Sequence, residues 1–86
     1  MQYSILYEAI HDAGFPAGYF YAHIPALELT THGLGIDGAK SAAIDLLTLW
    51  IEEKRANGER IPVEAESFFS RIEVDDAVLG APSLRA

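Results

Sequence analysis

Apolar and polar residues alternate through the first third of the chain, and then the period changes. Over residues 3–10, Tyr3, Ile5 and Tyr7 alternate with Ser4, Leu6 and Glu8, the two-residue period of a strand. Residues 11–17 hold Asp12, Gly14 and Pro16, and this punctuation predicts a hairpin loop. A second strand follows over 18–24. It sets Phe20, Ala22 and Ile24 on one face, expected to be core, and Tyr19, Tyr21 and His23 on the other. Pro25 cannot donate to a ladder, so the strand is expected to end there or to run on only as an edge. Residues 27–32 predict a third short strand with Leu27, Leu29 and Thr31 on one side, before Gly33 and Gly35 break the pattern.

From there the period is helical. Ile36, Ala39, Ala43, Leu46, Leu47 and Trp50 recur at three- and four-residue steps, a wide apolar stripe with Trp50 as an expected core anchor. Asp37 in the first turn and Lys54 and Arg55 in the last suit the helix dipole, and Asn57-Gly58 is a stop signal. A fourth strand is expected over 67–75, with Ile72 and Val74 alternating against Arg71, Glu73 and Asp75. The order is therefore β-β-β-α-β. One helix covers one face of an antiparallel-dominated sheet, a two-layer α+β sandwich. Residues 1–75 form the domain and 76–86 a tail or an arm that orders on a neighbour. The uncovered face is too aromatic to be left in water, so a homo-oligomer is expected.

Charge narrows the choice of partner. Thirteen acids stand against six bases, a net charge of −7. Phosphate binding needs clustered Lys and Arg, so direct nucleic-acid binding is not expected. A basic protein is the better match. The chain has no cysteine, which removes thiolate chemistry and suits a reducing cytoplasm. Neither a targeting signal at its start nor an apolar run of membrane-spanning length is present, and a soluble cytoplasmic protein is expected.

Chemistry finds little to stand on. His23 and His32 approach one another if the second and third strands pair, but a metal centre needs three or four converging ligands. The acids are spread over loops, helix and tail, and no serine lies in a Gly-x-Ser-x-Gly elbow. Gly33-Leu34-Gly35 lacks the third glycine and the Lys-Ser/Thr ending of a phosphate loop. No catalytic residue, metal or cofactor is expected.

The stretch from 18 to 62 resembles the HicB family, the antitoxin half of a type II toxin–antitoxin system. The resemblance is carried by Gly18-Tyr19-Phe20-Tyr21-Ala22-His23-Ile24-Pro25, then Leu27, then Thr31-His32-Gly33. Ala39, the run Ala42-Ala43-Ile44 to Leu49-Trp50-Ile51-Glu52, and Gly58 followed by Ile61-Pro62 continue it in order. Where the family commonly reads Pro-Asp-Leu-Pro-Gly, this chain has Pro25-Ala26-Leu27-Glu28-Leu29. The resemblance implies a fold like a partial ribonuclease H fold without its catalytic carboxylates. It also implies a partner, a small basic HicA-like mRNA interferase toxin whose active surface the antitoxin covers. Many relatives append a DNA-binding segment; the residues after Pro62 offer few bases, Arg71 and Arg85, and operator binding is not expected of them.

Two readings follow. One is a HicB-like antitoxin-type domain that acts by binding, with Tyr19, Tyr21 and His23 on the open face and Asp45, Glu52 and Glu53 on the helix as partner-binding residues. The other is an orphan homo-oligomeric interaction or structural domain with no toxin partner and no catalysis. A small-ligand binder or enzyme using the tyrosine face ranks behind both.

Overall fold

A computed structural model describes residues 2–65 and 68–76. Strands β1 (Leu6–Ala9), β2 (Tyr19–Ile24) and β3 (Leu29–Leu34) form an antiparallel meander in the order β1-β2-β3. Helix α1 (Gly35–Ala56) packs across β2 and β3, which makes the two-layer α+β arrangement.

The alternation in β2 decides the layers. Ala22 and Ile24 are fully buried beneath α1, against Ala39 and Ala43 of the helix. Tyr3, Ile5, Tyr7, Phe20, Leu27, Leu29 and Leu47 close around this cluster. Small residues at the contact bring helix and sheet close together. Gly33 is where they meet: a Cβ there would overlap the Gly38 carbonyl and come within 2.6 Å of the Ala39 nitrogen.

The ends of α1 are set locally. Gly35 begins the helix at a φ of 69°, and its N–H donates to the Gly18 carbonyl at 2.8 Å. At the other end, the Gly58 N–H donates to the Arg55 carbonyl and the Glu59 N–H to the Lys54 carbonyl, at 3.0 and 2.9 Å. With Gly58 at a φ of 69°, this is a Schellman stop at the expected Asn57-Gly58.

Besides the first strand, which is confined to Leu6–Ala9 within the expected 3–10, three expectations need correction. The third strand begins at Leu29, not at residue 27, because Pro25–Leu27 winds into a 3-10 turn that Pro25 opens. Glu28 closes the turn at a φ of 55°, its N–H donating to the Pro25 carbonyl at 3.2 Å. The helix stripe also overruns its support. Twenty-two residues of helix reach about 33 Å, whereas a six-residue strand reaches about 20 Å. Leu47 is thus the last helix residue packed on the core; Trp50 lies beyond, half-buried, with Lys54 Nζ 5.3 Å from its ring centre, and Ile36 is 49% exposed.

The third correction is the fourth strand, so the order is β-β-β-α. Residues 68–75 join no ladder, and Phe68 and Ile72 are each 85% exposed. The cause is upstream. The Tyr3 hydroxyl donates to the Pro62 carbonyl, and the Ser4 N–H and hydroxyl both donate to the Glu64 carboxylate at 2.6 Å. The β1–β2 register, continued two positions, sets Ser4 opposite Pro25, whose carbonyl the 3-10 turn has taken. Glu64 fills that place. The chain therefore leaves from the end of the sheet instead of running beside it. The expected tail after Asp76 lies outside the described residues.

Candidate partner-binding face

Beneath α1 the sheet presents one face to the helix, and among the described residues no helix or strand covers its other face. The register places Leu6 and Glu8 of β1, Tyr19, Tyr21 and His23 of β2, and Thr30, His32 and Leu34 of β3 together on the uncovered side. The expected trio Tyr19, Tyr21 and His23 is thus contiguous, each residue part-exposed.

Two regions make up this face. At one end Phe15 folds back from the β1–β2 loop, which a turn bond from the Phe15 N–H to the Asp12 carbonyl tightens at 3.1 Å. Its ring lies 5.0 Å from His32, 6.0 Å from Tyr19 and 6.1 Å from Tyr21, edge-on to His32 and Tyr21. Such tilted and edge-to-face pairs are the favoured aromatic geometries. The result is an aromatic cluster on the sheet surface.

At the other end a polar row crosses all three strands. His23 Nε2 stands 2.9 Å from Glu8 Oε1, and His23 Nδ1 stands 2.9 Å from Thr30 Oγ1. An ionised carboxylate only accepts, so Nε2 donates to Glu8. Nδ1 accepts the Thr30 hydroxyl proton in the neutral ring and donates to that oxygen in the charged one. The row therefore survives either protonation state. The His23 and Tyr21 rings lie 5.7 Å apart, tilted by 36°, and join the two regions.

Asp45, Glu52 and Glu53 are exposed on α1, in the opposite layer. They do not share a surface with the tyrosines. Glu8 does, and so do Phe15, Thr30 and His32, which the sequence reading left out of the site. Strand alternation carries a signal for Glu8, Thr30 and His32 once the register is known. For Phe15, inside a loop, no periodic signal exists.

A separate cavity of about 270 Å³ lies at the sheet's end, lined by Ser4, Pro25, Ala26, Glu64, Ala65 and Phe69. The Ser4 hydroxyl and N–H, in that order, hold the Glu64 carboxyl below the usual glutamate range against a small opposing effect of desolvation. A carboxylate made less basic in this way does not activate a hydroxyl as a nucleophile, and the pair reads as a structural clamp. His23 and His32 share the open face but stand opposite Thr30 and Tyr21, and among the described residues no three metal-ligating side chains converge. No helix among the described residues is long and apolar enough to cross a membrane.

Comparison with known proteins finds no matching family model, curated protein or solved structure.

Proposed function

We propose that this chain acts by binding a small basic protein, as a HicB-like antitoxin binds a HicA-like mRNA interferase toxin, and performs no chemistry of its own. The observation that carries the reading is the uncovered aromatic face, Phe15, Tyr19, Tyr21 and His32, on a chain of net charge −7. Rigid aromatic groups supply contact area at low entropic cost, and they are the usual hot spots of interfaces. A guanidinium or ammonium group laid on Tyr19 or Tyr21 gains from the ring faces. Glu8, held in place by His23, offers a carboxylate beside them. The acids of α1, Asp45, Glu52 and Glu53, act at longer range and raise the association rate with a basic partner. In this reading the chain works in the cytoplasm, where mRNA is the toxin's target.

The test is a low-salt pull-down from native lysate followed by an RNA-cleavage assay of any small basic protein recovered. The reading requires cleavage to be inhibited by this chain and the inhibition to be lost with Tyr21→Ala. Removing a central aromatic anchor costs about 2 kcal/mol, roughly thirtyfold in Kd. Inhibition unchanged by Tyr21→Ala moves the interface elsewhere.

A second reading is an orphan homo-oligomeric domain without a toxin. The exposed apolar residues Phe68, Phe69, Ile72 and Val74 favour it, because they mark a surface that a partner would cover. Recovery of the chain alone from the lysate, as a defined oligomer, supports this one.

A further inference from the structure

We propose that residues 68–75 form a fourth strand on a second copy of this chain, each copy laying its segment along the outer edge of the other's β3, which pairs with no strand among the described residues. The inference uses the edge of the sheet and not its open face, so it stands apart from the toxin-binding reading.

The segment has the character of a strand without a sheet. Phe68, Ser70, Ile72 and Val74 alternate with Phe69, Arg71, Glu73 and Asp75, apolar but for Ser70 on one side and polar but for Phe69 on the other. Yet Phe68 and Ile72 are 85% exposed and Phe69 is 59% exposed. Its starting point explains why. Phe69 lines the cavity at the sheet's end with Ser4 and Glu64, and the Ser4–Glu64 clamp fixes the chain there. Residues 70–74 are all exposed, Val74 at 41%, so among the described residues no surface of their own chain fully buries them.

β3 is a suitable receiver. The bond from the Gly35 N–H to the Gly18 carbonyl, continued through the antiparallel alternation, turns the odd-numbered residues of β3 towards β2. The backbone N–H and C=O groups of Thr30 and His32 then point out from the edge. Edge strands are normally blunted by Lys, Pro, a bulge or shortness. β3 has six residues in unbroken register, none of them Lys, Arg or Pro. It also carries no Asp or Glu that would repel Glu73 and Asp75. β1, with four residues, is the blunted edge.

Size agrees as well. Each large aromatic side chain covers about 150–250 Å² when buried, so two exchanged segments and their receiving edges cover on the order of 2,000 Å², enough for a stable dimer. Reciprocal exchange also closes the assembly, which leaves no open edge for a third copy.

Sedimentation of the full chain at micromolar concentration tests the proposal, together with Ile72→Pro and with amide exchange at Thr30 and His32. Ile72 is exposed in the single chain, so Ile72→Pro leaves the fold intact, as the far-ultraviolet dichroism will show. The expected result is a mass of two chains that falls to one in Ile72→Pro, with the Thr30 and His32 amides protected in the dimer and exchanging at least about tenfold faster in the variant. Three results would each overturn it: a monomeric parent chain, a dimer untouched by Ile72→Pro, or the same protection in a monomer, which would mean pairing within one chain. Because no basic partner enters this experiment, its failure leaves the toxin-binding reading where it was.

Discussion

At the scale of single residues, Gly33 is the position with least freedom. A methyl group there meets the backbone of Gly38 and Ala39, which cannot swing aside as a side chain can. Overpacking of this kind costs about 1–3 kcal/mol, and a clash with backbone belongs at the upper end. Gly33→Ala should therefore shift the urea midpoint strongly, whereas Gly14→Ala, with nothing within 4 Å of the added carbon, should leave it nearly unchanged.

Glu64 provides a second residue-scale prediction, in pH. Its carboxyl is held below the usual range by the Ser4 hydroxyl and N–H, so the folded value lies under the unfolded one. The stabilisation is then complete above the unfolded value and is lost as pH falls through the folded one. The Ser4 amide resonance should follow that loss on acidification from neutral pH. In Glu64→Gln the acid step should disappear; a step that persists would assign the titration to another group.

At the scale of elements, α1 is held by its ends as much as by its stripe. Gly58 adopts a left-handed φ of 69° to close the Schellman turn, and an alanine there pays about 1 kcal/mol. Gly58→Ala should lower the unfolding midpoint by that amount and fray residues 54–58 first, which amide exchange would show. The helix and its stop were legible in the sequence because both are local: a 3.6-residue period and an Asn-Gly pair. The split of β2 into a core face and an aromatic face was legible for the same reason. Pro25 was ambiguous, since a proline that ends a strand also opens a helical turn, and the turn moved the start of β3 to Leu29. The strand pattern of 68–75 is real, but pairing is not a property of the segment alone. Glu64, sixty residues from Ser4 in sequence, ties the chain to the end of the sheet just before that segment. Phe15 was missed on similar grounds, because its place depends on a loop folding back over Tyr19, Tyr21 and His32.

At the scale of the molecule, the core is thin. Among the described residues Ile10, Ala22, Ile24, Ala39 and Ala43 are the buried hydrophobics, and three of these five are alanines. Burial of a small side chain contributes little apolar area, so a single copy should be weakly stable. Association changes that balance by mass action: what binds the native state and not the unfolded one raises the unfolding midpoint as its concentration rises. The exchanged segment should therefore make this chain's thermal midpoint climb with its own concentration. Ile72→Pro should give one midpoint at every dilution, equal to that of the parent chain when most dilute. The comparison separates two sources of stability. If the midpoint of the parent chain is independent of concentration and already high, then the alanine-lined contact of helix and sheet is sufficient by close packing alone. If it climbs and the proline variant does not, most of what keeps this small sheet folded comes from the second copy.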